Sequence, residues 1–210
     1  MKIGIVGSGN IGGNAARLFV HAGHQVALSN SRGGQGLEDL IEELGDKAHA
    51  TTIDDAARFG DVVLLAIPFG KFRDLSVDAF KGKVVIDASN YYPERDGKFR
   101  ELDNDETTSS ELMALHLKEA RLVKGFNTIY FKHLASQGDT SLPLEDRRAI
   151  FIASDDSEAK EIVARLIEEI GFAAVDLGFL HEGGRSQQPG TAVYNKDVTA
   201  KEAAALLFAD

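Results

Sequence analysis

One glycine-rich stretch near the N-terminus restricts what this chain can fold into. The stretch reads Gly7-Ser8-Gly9-Asn10-Ile11-Gly12, which is a G-x-G-x-x-G pattern. It follows an apolar run over residues 2–6 that predicts a buried strand, and it opens a helix predicted over residues 11–22. Residues 25–28 form a second β-rich run. Because a crossover of this kind joins parallel strands, the three elements predict an α/β fold.

The three glycines of this turn have separate predicted roles. Gly7 permits the tight turn, Gly9 lets the backbone approach a diphosphate, and Gly12 allows close packing of helix on strand. Amides at the start of the helix would bind the anion, although a glycine-rich turn without a ligand is the alternative. The residues that we predict to bind a dinucleotide here are Gly7, Ser8, Gly9, Asn10, Ile11 and Gly12.

The residues that end the second predicted strand indicate which dinucleotide is bound. NAD-binding units usually place an acidic residue there, but this chain has Asn30, Ser31 and Arg32. A carboxylate would repel a 2′-phosphate, whereas a guanidinium and nearby hydroxyl and amide donors would bind it. The sequence therefore favours NADP(H) over NAD(H); a polar loop with a solvated arginine is the alternative.

The rest of the chain continues the alternation of strands and helices. Strands are predicted over residues 2–6, 25–28, 48–51, 62–66, 84–87, 121–126, 149–153 and 173–176. Helices are predicted over residues 11–22, 37–44, 54–59, 112–119, 156–170 and 199–207, and loops over residues 89–108 and 136–146. Continuous Val, Leu and Ile suit strands that helices cover on both faces. The pattern predicts a Rossmann-type, doubly wound, mostly parallel sheet.

Length and composition set limits on the class of protein. We expect 210 residues to form a single domain, with a dinucleotide-binding core over residues 1–150 and a small α/β extension over residues 151–210. The net charge of -10 argues against nucleic acid as a partner. The chain has no Cys, and its 6 His are scattered without ligand spacing, so no metal site is predicted. No apolar run would span a bilayer, and we expect a cytoplasmic protein.

Several short motifs together resemble one family. Besides the glycine turn and Ser31-Arg32, they are Ala66-Ile67-Pro68, Asp87-Ala88-Ser89-Asn90 and Lys124-Gly125-Phe126-Asn127-Thr128. They resemble the NADP oxidoreductases that depend on coenzyme F420, over most of the chain. Related membrane metalloreductases carry a similar domain that passes electrons from NADPH to a flavin.

The resemblance implies a reductase that orients two ring systems and supplies little acid or base of its own. It implies that Ile67 and Pro68 border the nicotinamide, that Asn90 lies near it, and that Asn127 and Thr128 face the acceptor ring. The acceptor would be the deazaflavin F420 or a flavin.

The predicted topology supports the same site independently. Ligands of doubly wound sheets lie outside the carboxyl ends of the strands, and Pro68, Asn90 and Asn127 all follow such ends. Taken singly, each residue has an ordinary structural role as a strand terminator, turn residue or helix cap. Their joint placement favours a shared crevice.

Two further stretches allow more than one interpretation. Residues 90–97 pair tyrosines with a turn and would form part of the acceptor pocket, a lid or a surface loop. Residues 181–186 and 189–191 indicate a glycine-rich loop, in which Arg185 would meet an acidic acceptor tail or be solvated. His181 has no partner visible in the sequence, so we do not assign it a proton-transfer role.

Other function classes stay open at this point. A small NADP-dependent dehydrogenase or imine reductase usually adds a helical domain, and the roughly 35 residues after Asp176 are few for one unless a domain-swapped dimer completes it. A non-catalytic NADPH sensor is a second alternative. A homodimer is open too, because the helix predicted from residue 199 would pack at the domain edge or at a dimer seam.

Overall fold

A computed structural model describes residues 1–207 of the chain as an eight-stranded sheet with helices on both faces. The strands are β1 (Lys2–Val6), β2 (Gln25–Ser29), β3 (Ala48–Thr51), β4 (Val62–Leu65), β5 (Val84–Asp87), β6 (Arg121–Gly125), β7 (Ala149–Ala153) and β8 (Ala173–Asp176). All eight predicted strands are confirmed to within one residue at each end.

The strand order is β3-β2-β1-β4-β5-β6-β7-β8. Strands β1 to β6 run parallel, and their order reverses between β1 and β4, as in a doubly wound Rossmann sheet. Strand β7 pairs antiparallel with β6, and β8 runs parallel to β7. The predicted fold class, a Rossmann-type and mostly parallel sheet, is therefore confirmed. Strands β7 and β8 form one edge of the sheet and run antiparallel to the other six strands.

Ten helices connect or cover the strands in the described part of the chain. They are α1 (Asn10–His21), α2 (Glu38–Leu44), α3 (Ile53–Phe59), α4 (Pro93–Asp96), α5 (Arg100–Asp103), α6 (Ser109–His116), α7 (Phe131–Ser136), α8 (Ser157–Glu169), α9 (Leu180–Ser186) and α10 (Ala200–Leu207). Short 3₁₀ segments lie at Gly45–Lys47, Phe69–Asp74, Val77–Phe80 and Leu144–Asp146. None of the helices within residues 1–207 is long and apolar enough to cross a membrane.

The sheet separates two apolar cores. Alternate residues of β1, including Ile3 and Ile5, pack with α1 and α8 on one face. Val6, at the end of the same strand, packs with α3 and α6 on the other face. Residues of β4 and β5 are buried on both sides, which explains their unbroken apolar sequences. This arrangement leaves the carboxyl ends of the parallel strands at one open edge.

The loop predicted over residues 89–108 is partly helical in the structure. Pro93 stands at the first turn of α4, where its missing amide costs nothing, and α5 follows after three residues. Helix α6 begins at Ser109, three residues before the predicted start. Thr108 caps it, since its hydroxyl accepts from the Glu111 amide while the Glu111 carboxylate accepts from the Thr108 amide. The short polar helices lack the apolar periodicity that would have revealed them.

The loop predicted over residues 181–186 is wrong, because this stretch forms α9. Two adjacent glycines disfavour a helix by propensity. Packing reverses that preference: a Cβ added at Gly183 would lie 2.6 Å from the Cβ of Ala153 and 2.7 Å from the carbonyl oxygen of Leu177. A glycine is therefore needed for α9 to lie this close to β7. Helix α7 was not predicted at all, because only six residues form it.

The division into a core and an extension stays a prediction. The boundary proposed after residue 150 falls within β7, and β7 and β8 extend the same sheet as the strands of the predicted core. Helix α10 confirms the predicted C-terminal helix and packs near β8, where Ala203 joins a small apolar cluster with Phe151 and Val193. The last residues of the predicted extension, 208–210, lie outside the described residues.

Candidate functional site

A cavity of about 520 Å³ opens at the carboxyl ends of β1, β4, β5 and β6. The segments that follow these strands contribute residues 9–11, 66–68, 88–90 and 126–127 to its walls. The cavity thus spans the position where the strand order reverses, which is where doubly wound sheets bind their ligands.

The glycine turn, residues 7–12, forms one end of this cavity, and we call it the cradle. Gly7 has φ +103°, and a Cβ there would lie 2.3 Å from the carbonyl oxygen of Ala66. A Cβ at Gly12 would lie 1.8 Å from the carbonyl oxygen of Gly7, so α1 contacts the turn backbone directly. A Cβ at Gly9, by contrast, would meet nothing within 4 Å. Gly7 and Gly12 are thus required by packing, whereas Gly9 keeps space open.

The first turn of α1 suits an anion. Gly9 is the N-cap residue, and no side chain caps this helix. The first amides of a helix have no partner within the helix, and the helix dipole adds partial positive charge at this end. Asn10 and Ile11 line the cavity beside Gly9. These observations fit the diphosphate group of a dinucleotide.

The loop after β2 encloses a separate depression of about 330 Å³ near the cradle. Its walls include Asn30, Ser31 and Gly33 on one side and residues 52–54 on the other. The Asn30 side chain holds the loop itself, because its Oδ1 accepts from the amides of Arg32 and Gly34 at 2.8 and 3.1 Å. Arg32 is exposed beside this depression, with its guanidinium next to Gly36. Ser31 and Arg32 are therefore free to bind a phosphate, whereas the Asn30 amide shapes the loop.

Asn127 joins three segments at the far end of the cavity. Its Nδ2 donates to the Asn90 Oδ1 at 3.1 Å and to the Gln187 carbonyl oxygen at 2.8 Å. The Asn90 Nδ2 in turn donates to the Asn127 carbonyl oxygen at 2.8 Å. Asn127 is 5% exposed, so these bonds lie in a low-dielectric environment. They connect the ends of β5 and β6 to the segment after α9.

The backbone turns sharply just before Asn127. Phe126 has φ +63°, a left-handed conformation that is unusual for a bulky residue and costs about 1–3 kcal/mol. Its ring is fully buried and packs edge-on against Phe19 of α1 at 6.4 Å between centroids. This packing holds the strained residue, and the turn places Asn127 on the cavity wall.

A buried ion pair lies beneath the same end of the cavity. The Lys124 Nζ is 3.1 Å from the Asp87 Oδ2 and also donates to the Ser89 carbonyl oxygen. Hydroxyls of Ser89 and Ser110 donate to the Asp87 carboxylate at 2.5 and 3.0 Å. Burial lowers the pKa of Lys124, and the Asp87 carboxylate opposes that shift. The pair ties β5 to β6 directly under residues 89–90 of the cavity.

The segment after α9 completes the wall beside the ends of β5 and β6. Tyr194 and Asn195 line the cavity, and the Asn195 amide donates to the Thr128 carbonyl oxygen at 2.9 Å. The Tyr194 hydroxyl makes a hydrogen bond with the Tyr92 hydroxyl across the cavity. Burial raises the pKa of Tyr194, and the bond to Tyr92 adds to the increase.

Half of the predicted site residues meet in this cavity. Those that line it are Gly9, Asn10, Ile11, Ile67, Pro68, Asn90 and Asn127. Thr128 is 3% exposed and does not line the cavity, although its carbonyl oxygen holds the Asn195 segment. Gly7 and Gly12 act through packing. The roles of these residues in binding a dinucleotide stay predictions.

Sequence reasoning missed the contribution of the C-terminal region. Tyr194 and Asn195 belong to no motif, and only their contacts with distant residues reveal them. The sequence allows residues 90–97 to be part of the acceptor pocket, a lid or a surface loop, and in the structure Tyr92 and Arg95 line the cavity. The aromatic pair Tyr130-Phe131, which follows β6, also lines the cavity. Two adjacent aromatic residues soon after a strand end are a sequence signal that could have placed this pair in the cavity wall.

Two candidates from α9 turn away from the cavity. The Nδ1 of His181, for which no partner was visible in the sequence, lies 2.8 Å from the Glu111 Oε1. Arg185 donates to the carbonyl oxygen of Asp105 at 3.1 Å. Neither residue lines the cavity, so the predicted encounter of Arg185 with an acidic acceptor tail has no support in this geometry.

Comparison with known proteins finds matches to the family that the sequence motifs resemble. Residues 2–91 match the family described as NADP oxidoreductase, coenzyme F420-dependent. The chain is 25% identical to the F420-dependent NADP reductase of Methanocaldococcus jannaschii, and the match covers 87% of this chain and 86% of that protein. A hypothetical protein of Sinorhizobium meliloti with a solved structure is 31% identical, has a TM-score of 0.82, and matches over 95% of each chain.

Metalloreductases also match. The chain is 26% identical to metalloreductase STEAP3 of Rattus norvegicus over 85% of its own length. The match covers 34% of that protein, so this chain spans about a third of the metalloreductase. Residues 2–91, which build the glycine cradle, therefore match the family of coenzyme F420-dependent NADP oxidoreductases, and most of the chain is similar to a reductase of that name.

Proposed function

We propose that this protein transfers a hydride between NADP(H) and a planar acceptor ring, either the deazaflavin of coenzyme F420 or a flavin. The observation that carries the proposal is the continuous cavity of about 520 Å³ from the Gly9 cradle to Asn90 and Asn127. A cavity of this size lies within the range of small-molecule sites and has room for ring systems beyond the diphosphate position.

The described residues fit NADP(H). The space in front of Gly9 and the uncapped start of α1 would hold the diphosphate. Ser31 and Arg32, in the loop after β2, would bind the 2′-phosphate through hydroxyl and guanidinium donors. Ile67 and Pro68 would then border the nicotinamide, because they follow β4, the neighbour of β1.

The cavity wall favours orientation over acid-base chemistry. It contains no carboxylate and no lysine among the described residues, and Arg95 is its one permanently charged side chain. Bound NADPH would supply the hydride: a C–H bond of the nicotinamide breaks, a bond from that hydrogen to the acceptor ring forms, and solvent supplies the matching proton. The chain's own part would be to hold two rings in contact and exclude water, which can account for large rate increases.

The name of one relative supports this class of acceptor. The Methanocaldococcus jannaschii protein is named an F420-dependent NADP reductase, whereas the name of the rat metalloreductase supports only reductase chemistry. A small NADP-dependent dehydrogenase or imine reductase would need an acid, base or lysine at the nicotinamide. Among residues 1–207 the cavity wall has no carboxylate, histidine or lysine, and its tyrosines are the only candidates for that role.

The test is to mix the protein with NADPH and, in separate reactions, coenzyme F420, flavin mononucleotide or riboflavin, and to follow the nicotinamide absorbance. We expect NADPH oxidation with at least one ring. Gly9→Val is the matched control, because its side chain would fill the open space in front of the cradle without contacting protein atoms at Cβ. It should fold normally and lose the reaction. Tight NADPH binding without oxidation by any ring would instead indicate a sensor.

A further inference from the structure

Two tyrosines from distant parts of the chain meet on the cavity wall. Tyr92 stands just before α4, and Tyr194 stands in the segment between α9 and α10, 102 residues later. Their hydroxyls form a hydrogen bond, and both side chains line the same cavity as Pro68 and Asn127. We call them the tyrosine pair.

The tyrosine pair lies at the end of the cavity away from the diphosphate cradle. Arg95 donates to the Asn90 carbonyl oxygen at 2.6 Å and so ties the Tyr92 segment to the end of β5. Asn195 donates to the Thr128 carbonyl oxygen and ties Tyr194 to the segment after β6. Since β5 and β6 are two and three strands away from β1, and strands lie about 4.8 Å apart, the tyrosine pair is on the order of 10–15 Å from the cradle.

The pair has one more hydrogen-bond donor than it uses. Each phenol carries one O–H, and the mutual hydrogen bond consumes only one of the two. The Asn195 side chain also hydrogen-bonds to the Tyr194 hydroxyl, but it does so as a donor and therefore uses no phenol O–H. Whichever tyrosine donates to the other, the second O–H remains available to a molecule in the cavity.

The surroundings keep the Tyr194 phenol protonated and hold the Tyr92 ring in place. Burial and the neighbouring hydroxyl raise the pKa of Tyr194, so its phenol keeps its proton at neutral pH. The Arg95 guanidinium packs over the Tyr92 ring at 4.9 Å from its centroid and is itself held by Asp96 at 2.8 Å. The unused O–H is therefore a neutral donor on a side chain that is already ordered.

We propose that the tyrosine pair donates a hydrogen bond to a carbonyl oxygen or ring nitrogen of the acceptor ring. The ring gains negative charge with the hydride, and a donor already in position stabilises that charge at no cost of reorganisation. This inference rests on the proposed function, because it assigns residues to the acceptor half of the same site. It adds a recognition element that comes from the region after α9.

The test compares Tyr92→Phe, Tyr194→Phe and the double variant with Tyr91→Phe. Tyr91 is the control, because its hydroxyl bonds to the Asp103 Oδ1 at 2.7 Å and does not line the cavity. We expect the double variant to lower kcat on the order of 100-fold, as loss of an oxyanion donor does, with smaller losses in the single variants. The KM for NADPH should change by less than about twofold, since the cradle is untouched.

A second readout separates this inference from the proposed function. Quenching of riboflavin, flavin mononucleotide or coenzyme F420 fluorescence reports ring binding without turnover, and the double variant should bind at least about 10-fold more weakly than wild type. Wild-type turnover with an unaffected double variant would overturn the tyrosine role alone. If wild type shows no turnover, weaker ring binding by the double variant still supports the pair, and equal or absent ring binding overturns it.

Discussion

The two ends of the cavity are built in different ways. The cradle end comes from six consecutive residues, 7–12, and its shape depends on backbone contacts such as that between Gly12 and the Gly7 carbonyl oxygen. The other end, which we call the acceptor end, is the wall around Asn90, Asn127 and the tyrosine pair. It is assembled from the segments after β5, β6 and α9. These segments are joined by side-chain hydrogen bonds of Asn127 and by the Tyr92–Tyr194 hydrogen bond.

This difference explains how tolerant each end should be to change. A backbone cradle binds any diphosphate and needs only a few glycines, so it suits the invariant part of a substrate. A wall made of side chains from distant segments can be altered one residue at a time without disturbing the cradle. We infer that acceptor preference resides at the β5–β6 end, whereas the preference for NADP(H) over NAD(H) resides at the loop after β2.

The largest effect is expected beneath the acceptor end. Lys124→Met would leave the Asp87 carboxylate buried without its cation, which should lower the free energy of unfolding by about 3–5 kcal/mol. Urea unfolding monitored by circular dichroism measures it. Lys81→Met is the control, because the Lys81–Glu119 pair lies at the surface and its loss should leave stability nearly unchanged. Equal effects of the two variants would contradict a structural role for the buried pair.

At the cradle, two glycines should respond differently to the same added methyl group. Gly12→Ala puts a Cβ 1.8 Å from a backbone oxygen and should destabilise the fold by about 1–3 kcal/mol or more while abolishing NADPH binding. Gly9→Ala has open space for its Cβ, so it should unfold like wild type yet bind NADPH at least about 10-fold more weakly. Denaturant unfolding and calorimetry measure the two effects. Normal NADPH binding by Gly9→Ala would break the assignment of the diphosphate to this end.

The loop after β2 should affect only one of the two nicotinamide dinucleotides. Arg32→Ala is expected to weaken NADPH binding by about 1.5–3 kcal/mol, the range for a hydrogen bond to a charged group, and to leave NADH binding nearly unchanged. Arg17→Ala is the matched control, because Arg17 pairs with Glu43 at 2.7 Å on the surface of α1. Equal losses for NADPH and NADH in Arg32→Ala would contradict recognition of the 2′-phosphate.

The smallest effect is expected at a site that serves neither end of the cavity. The Arg121 guanidinium holds the pKa of Asp156 at about 2, below its ordinary value of 3.8. The resulting stabilisation is therefore present above about pH 3.8 and is lost as the pH falls through about 2. Asp156→Asn keeps a helix cap and should cost about 0.2–1 kcal/mol at pH 7, because the pair is partly exposed.

The measurement is urea unfolding of wild type and Asp156→Asn from pH 7 to pH 3. The difference between them should shrink with acid, while ligand binding at pH 7 stays the same in both. A difference that grows as the pH falls would contradict the sign of the linkage.

The contrast between the two ends also accounts for what the sequence revealed. The cradle, the strands and the Pro68, Asn90 and Asn127 positions follow from local patterns, since periodicity and strand ends are properties of neighbouring residues. Helix α9 and Tyr194 do not, because their roles depend on contacts with β7 and Tyr92 that no local pattern records. Asn30 is a case in which the local pattern misleads. The sequence predicts that its side chain binds the ligand, but in the structure its Oδ1 accepts hydrogen bonds from two amides of its own loop.

Calorimetric titration of the wild-type protein with NADPH and with NADH tests the central claim most directly. The cradle at Gly9 and the guanidinium of Arg32 predict saturable heat with NADPH and weaker binding of NADH. No heat with either dinucleotide would show that the open space before α1 does not hold a diphosphate, and the proposed hydride transfer would fail with it.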